Sequence, residues 1–166
     1  MTPAYFTLLK RAGYLGNENQ IFAGETAVAM MLSTEKKENT LCKIEAVEKM
    51  YCCDVETQCI ASLQTDIDYI MVGTNGVAEN DNVYFENCVK LFPTVPLLQY
   101  KNIFGEGYTT PALGVYAAAI CLQKGKIPEH LFLDTKYKIQ NTKQFNRVLC
   151  YNQFEGKNHT FILLSK

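Results

Sequence analysis

An α/β fold, with helices layered on both sides of a mixed sheet of about five strands, follows from three features of this sequence. From Val55 onward the apolar periodicity alternates helix, strand, helix, strand, helix, strand, strand. That is the order of parallel strands joined by crossover helices and closed by an antiparallel pair. Two short apolar strands open into small-residue loops: Tyr69-Ile70-Met71-Val72 into Gly73-Thr74-Asn75-Gly76, and Leu97-Leu98-Gln99-Tyr100-Lys101 into Phe104-Gly105-Glu106-Gly107. Strand ends of this kind are where α/β proteins hold ligands. Finally, Thr110-Pro111 and Lys124-Gly125 bracket an alanine-rich stretch with a helix start and a helix stop.

Taken in order, residues 2–12 suit a short helix through Phe6, Leu8 and Leu9, and residues 13–20 a Gly- and Asn-rich loop. The continuous apolar run Ala27 to Leu32 fits a strand buried on both faces. Residues 33–40 form a polar turn whose mixed charges, Glu35-Lys36-Lys37-Glu38, are solvated. Leu41 to Tyr51, with Ile44 and Ala46 inward, then returns as the second strand of an N-terminal β-hairpin. Val55, Cys59, Ile60 and Leu63 stand at helical spacing, and Ile67 to Val72 is the next strand. Asn80 or Asp81 caps a helix whose apolar face is Tyr84, Cys88, Leu91 and Phe92. Pro93 and Pro96 start the strand Val95 to Tyr100, and the bracketed helix runs from Thr110 to Gln123. Asn146 to Tyr151 and Thr160 to Leu164 make the closing pair around Gln153-Phe154-Glu155-Gly156-Lys157-Asn158. No internal repeat or low-complexity segment interrupts this order.

The chain's 166 residues suit a single domain with a real core. With 48% hydrophobic residues, 20% charged residues and a net charge of −1, it has no basic footprint for nucleic acid. No apolar run reaches the roughly 18 residues that span a bilayer. Met1-Thr2-Pro3-Ala4-Tyr5-Phe6 lacks the basic and apolar segments of a secretory signal, so a cytoplasmic location is expected and Asn158-His159-Thr160 is no glycosylation acceptor. Seven cysteines, odd in number and without CxxC spacing, fit reduced thiols. His130 and His159 are far apart in sequence and leave no zinc motif, and the glycines near 105 lack a phosphate-loop ending. Neither metal nor cofactor is expected.

The motifs together resemble the second half of a β-ketoacyl synthase, a condensing enzyme of the thiolase fold. The residues that carry the likeness are Gly24-Glu25-Thr26 before an apolar strand, Ile67-Asp68-Tyr69-Ile70, and Val72-Gly73-Thr74-Asn75-Gly76. They continue through Asn80-Asp81, Lys101 with Gly105-Glu106, Gly125-Lys126-Ile127-Pro128, and Asn152-Gln153-Phe154-Glu155-Gly156-Lys157-Asn158. The resemblance covers nearly the whole chain. It implies a single thiolase-like domain in which residues 1–54 match the end of the family's first half and residues 55–166 its second half.

In that family a cysteine takes the acyl chain from a carrier thioester, and two histidines assist decarboxylation of the malonyl donor. The resemblance places Val72 and Glu106 at the two histidine positions and leaves the nucleophile's turn upstream of Met1. Valine offers no donor, and an ionised carboxylate repels an enolate. No catalytic residue is therefore assigned. Gly73, Thr74, Lys101, Glu106 and Phe154 are the candidate substrate-binding residues that the resemblance implies. Each has a plainer reading: loop backbone satisfaction for Thr74, a strand-end lysine for Lys101, a helix-start carboxylate for Glu106, and a turn aromatic for Phe154.

The implied function is a ketosynthase-like protein of fatty-acid or polyketide-type synthesis, inactive by itself. Like a chain-length factor, it would pair with a ketosynthase-like chain or a second copy, and possibly with an acyl carrier protein. One alternative is the C-terminal part of an active condensing enzyme whose nucleophile lies on another segment. Another is a small module that binds an acyl or aromatic ligand against Tyr100, Phe104, Tyr108 and Phe154. A hairpin torn from a first half exposes an edge, so oligomerisation or a repacked hairpin is expected.

Overall fold

Four consecutive residues, Tyr69 to Val72, are buried on both faces, and the sheet extends outward from them. The computed structural model describes residues 3–11, 26–51, 63, 66–134 and 144–166. Its elements in chain order are α1 (Pro3–Arg11), β1 (Lys43–Tyr51), β2 (Tyr69–Val72), α2 (Ala78–Leu91) and β3 (Leu97–Gln99). There follow α3 (Lys101–Phe104), α4 (Thr110–Lys124), a 3₁₀ turn (Glu129–Leu131), β4 (Arg147–Phe154) and β5 (Asn158–Ser165). The five strands lie in the order β1-β5-β4-β2-β3. β2 is parallel to both its neighbours, β3 and β4, and β4-β5-β1 are successively antiparallel. This is the mixed sheet that the element order predicts.

The alternation of side chains along β2 and β4 divides the core into two layers. Tyr69, Met71, Val148 and Cys150 point to one side, where Ala118, Cys121 and Leu122 of α4 pack. Ile70, Val72, Leu149 and Tyr151 point to the other, where Tyr84 and Cys88 of α2 pack. Helices thus cover both faces, as parallel strands require. α4 ends as its sequence predicts: Gly125 is left-handed at φ 64°, and its N–H reaches the carbonyls of Cys121 (2.8 Å) and Leu122 (3.3 Å). The β4–β5 connection turns through Glu155 and Gly156, at φ 55° and 63°, which matches the strand twist as type I′ turns do.

Three expectations are corrected. The N-terminal β-hairpin does not form. Residues 26–42 carry no strand, and β1 pairs with β5 at the far edge of the sheet instead. Continuous apolar character misled here, because Met30, Met31 and Leu32 are 47%, 93% and 75% exposed. The register shift between Ile44 and Ala46 turns Ile44 outward, leaving Ala46 and Met50 on the core side. The helix after Gly76 begins at Ala78, not at an Asn80 or Asp81 cap, since Asp81 spends its carboxylate on the preceding loop. The short α3 was not anticipated. Gly105, at φ 74°, ends it after one turn. The expected helix over 55–62 and the family-like Gly24-Glu25 lie outside the described residues.

Glu45 on β1 is gripped by the Arg147 guanidinium (3.0 Å), which holds its carboxyl below the ordinary range and clips β1 across β5 to β4. The thiols are interior. Burial pushes Cys88 up to about 12 and Cys121 to about 11, raises Cys150 further, and raises Cys42 as well. Cys42, Cys88, Cys121 and Cys150 are all unbridged.

A pKa near 12 leaves roughly one thiolate in ten thousand at pH 8. Native protein at that pH is therefore expected to resist iodoacetamide at Cys88, Cys121 and Cys150, and to become fully labelled there on unfolding, read by peptide mass spectrometry. Gly114 makes a second test. A Cβ there would lie 2.7–2.9 Å from three ring atoms of the fully buried Tyr100. Gly114→Ala is expected to lose about 1–3 kcal/mol in denaturant unfolding, despite the better helix propensity of alanine.

Candidate functional site

The two glycine-loop junctions meet. Lys101, at the start of α3, directs its Nζ at both carboxylate oxygens of Glu106, 2.9 Å each. Asn75, in the loop after β2, donates its amide to Glu106 Oε2 at 3.1 Å. One carboxylate therefore joins the loop that follows β2 to the loop that precedes α4. The Lys101 side chain is 11% exposed and that of Glu106 is 32% exposed, so the pair sits at the floor of the surface rather than on it.

The loop after β2 is held from within. Asp81, on the first turn of α2, accepts the N–H groups of Asn75 (2.9 Å) and Gly76 (3.0 Å), and Asn75 Oδ1 accepts that of Val77 (3.1 Å). Beneath it, Gly73 is the point of closest approach. A Cβ on Gly73 would stand 2.7 Å from Asn152 Oδ1, 2.7 Å from the Tyr84 hydroxyl and 2.9 Å from the Tyr100 hydroxyl. The Tyr100 hydroxyl donates to Asn152 Oδ1 at 2.5 Å, and Tyr84 accepts the Gln153 N–H at 3.1 Å. Burial raises both phenols far above the ordinary tyrosine value, so they stay neutral.

The closing turn is tied to the same region. Gln153 donates its amide to the Asn80 carbonyl at 3.2 Å and accepts the Gly156 N–H at 2.8 Å. Of the candidate residues, Gly73, Thr74, Lys101 and Glu106 thus line the joined loops. Phe154 stands on the turn beside them, 63% exposed. Thr74, buried to 4% exposure, and the fully buried Thr110, at the start of α4, have hydroxyls with no protein partner among the described residues. Val72 is fully buried at the end of β2 and adds only packing.

The proposed aromatic cluster is divided: Tyr100 is in the core and Phe104 packs against it, whereas Tyr108 and Phe154 are 85% and 63% exposed. That division removes the reading in which the four share one ligand. His130 is exposed, and its carbonyl accepts from Asn102. His159 is fully buried, with Nδ1 2.9 Å from the Tyr151 hydroxyl, which also accepts from Asn87 at 2.9 Å. Among the described residues no three His, Cys, Asp or Glu side chains are grouped to hold a metal, and no helix is long and apolar enough to cross a membrane. Sequence reasoning missed Tyr84 and Asp81 as organisers of the site. The signal for Tyr84 was present in the helical spacing of Tyr84 and Cys88, which was read only as a core face.

Neither family models nor curated proteins match the chain. Solved structures do. "The ishigamide ketosynthase/chain length factor" superposes with a TM-score of 0.72 at 16% identity over 100% of this chain and 51% of that one. The fold is the thiolase fold of the ketosynthases. "PfaC Keto synthase-Chain length factor" gives a TM-score of 0.59 at 17% identity over 76% of this chain and 18% of that one. A type II PKS acyl-carrier protein in complex with its ketosynthase bound to the hexaketide gives 0.52 at 11% identity, over 75% and 38% of the two chains. The chain thus spans about half the length of the ishigamide ketosynthase/chain length factor chain that it matches.

The junction makes its own prediction. Lys101→Met and Glu106→Leu are each expected to cost about 1–2 kcal/mol. The double variant should cost less than their sum, with a coupling of about 0.5–2 kcal/mol in a double-mutant cycle by urea unfolding. Strict additivity would mean that the pair does not hold the loops together.

Proposed function

We propose that this chain is a ketosynthase-like subunit that does not condense acyl units by itself and acts as a partner chain, in the manner of a chain-length factor. The observation that carries the reading is the state of Glu106. At the position where the resemblance expects a histidine, its carboxylate is bound by Lys101 and Asn75, and Val72 at the other position is a buried hydrocarbon. Decarboxylative condensation needs donors aimed at a developing oxyanion. An acceptor already saturated by an ammonium and an amide supplies none, and it consumes the one cation nearby.

On this reading the chain is one thiolase-like domain, with residues 1–54 corresponding to the end of a first half and 55–166 to a second half. Gly73, Thr74, Lys101, Glu106 and Phe154 line the place where a partner's acyl chain or its carrier arm would approach. The unpartnered hydroxyls of Thr74 and Thr110 are the polar groups there with capacity to spare. The partner is a ketosynthase-like chain that brings the cysteine and its histidines, with an acyl carrier protein as the third component. The buried, unbridged thiols suit the reducing cytoplasm in which such assemblies work.

A second reading is favoured by one observation, the match to about half of a longer chain. Here residues 1–166 are the C-terminal part of a condensing enzyme whose nucleophile lies on a separate segment.

The test combines the purified chain, malonyl-loaded carrier protein and a full-length ketosynthase from the same source, with released carbon dioxide and acyl products as readouts. The chain alone is expected to release none, to co-purify with the ketosynthase, and to change product length when Phe154→Ala or Thr74→Val is introduced. Decarboxylation by the isolated chain, or a lack of any ketosynthase binding, defeats the partner reading.

A further inference from the structure

β1 is an edge strand, with β5 on one side and, among the described residues, no strand on the other. It is nine residues long, and Val47 and Tyr51 on it are 59% and 76% exposed. A free edge of this length is a template for another strand. The same chain carries a segment with the composition of a strand and nothing to pair with. Residues 27–32, Ala-Val-Ala-Met-Met-Leu, have no strand partner in the described structure, and Met31 is 93% exposed. Its base is anchored elsewhere: the Thr109 hydroxyl, at the start of α4, donates to the Thr26 carbonyl at 2.8 Å, and the two threonine hydroxyls are 2.5 Å apart. Between the segment and β1, the connecting residues are committed to their own turns, Thr40 N–H to Lys37 O at 3.0 Å and Lys37 N–H to Thr40 Oγ1 at 2.8 Å.

We propose that residues 27–32 of one copy add to the outer edge of β1 in a second copy, giving a strand-exchanged homodimer. Each copy offers one edge and one segment, so a two-fold arrangement makes the pairing twice and leaves neither an edge nor a segment over. Six residues of strand span about 20 Å, two thirds of β1. Alternate apolar side chains of the segment would flank Val47 and Tyr51 on one face of the sheet and Ala46 and Met50 on the other. The occupant is a second copy because the complementary element lies on this chain and is held away from its own edge. The dimer does not depend on ketosynthase chemistry, so it can stand if partner binding fails, and the reverse.

Light scattering behind size exclusion at micromolar concentration, with hydrogen exchange on the same samples, tests it. The natural chain is expected to have twice the monomer mass, with slow exchange in β1 and in 27–32. Ala29→Pro, which removes an N–H and the extended pairing, and Met31→Lys, which places a charge in the apolar seam, are each expected to halve the mass and speed exchange at both segments. Their circular dichroism should stay native, since both residues are exposed. A monomeric natural chain overturns the proposal, including one whose segment folds back on its own β1. So does a dimer that survives both substitutions, or loss of the fold in both variants.

Discussion

The ring of Tyr100 is the piece around which the rest is fitted. It is fully buried at the end of β3, lies against Gly114 on α4, and sends its hydroxyl to Asn152 on β4, just under Gly73 at the end of β2. Two glycines make room for one tyrosine: one in a helix, where glycine costs about 1 kcal/mol against alanine, the other in a loop. Three strands and a helix are thereby fixed relative to one side chain, and the loops of both junctions inherit that placement. The Tyr84 hydroxyl closes the same point from the opposite layer, through α2.

On that frame the charged pair has a narrow role. Lys101 and Glu106 are five residues apart, on either side of the one-turn helix α3, so their contact alone would shape only a local loop. The amide of Asn75 makes it long-range, because Asn75 belongs to the loop after β2. A histidine in place of Glu106 could not accept from both groups at once. The substitution that empties the site of condensing chemistry is therefore also the one that permits this bridge.

Much of the fold was legible because its strands and helices follow burial on fixed periods. β2 is buried on both faces, α4 is bracketed by Pro111 and Gly125, and the closing pair is separated by a turn around Gly156; each is a local signal that tertiary packing reinforces. Residues 27–32 were not legible, for the opposite reason. An apolar run states a tendency to pair, whereas its partner is chosen by the whole molecule, and here β1 found β5. The site was half legible. Lys101, Glu106, Gly73 and Thr74 were identifiable from the loops that carry them, but their mutual contact was not, since nothing in spacing tells that Asn75 will reach Glu106. Asp81 was misplaced because an acidic residue near a helix start reads as a cap, and only the backbone of Val77 shows that the helix had already begun.

That aspartate has a wider consequence. The turn from β2 into α2 presents successive N–H groups at the start of a helix, the arrangement that receives phosphates and carboxylates elsewhere. In this chain Asp81 fills it from the next turn of the same helix. A visiting anion competes with a tethered rival, which acts at the millimolar or higher effective concentration of a short linkage. The socket is in this sense sold with its plug, and selectivity at the neighbouring junction falls to uncharged hydroxyl and amide groups.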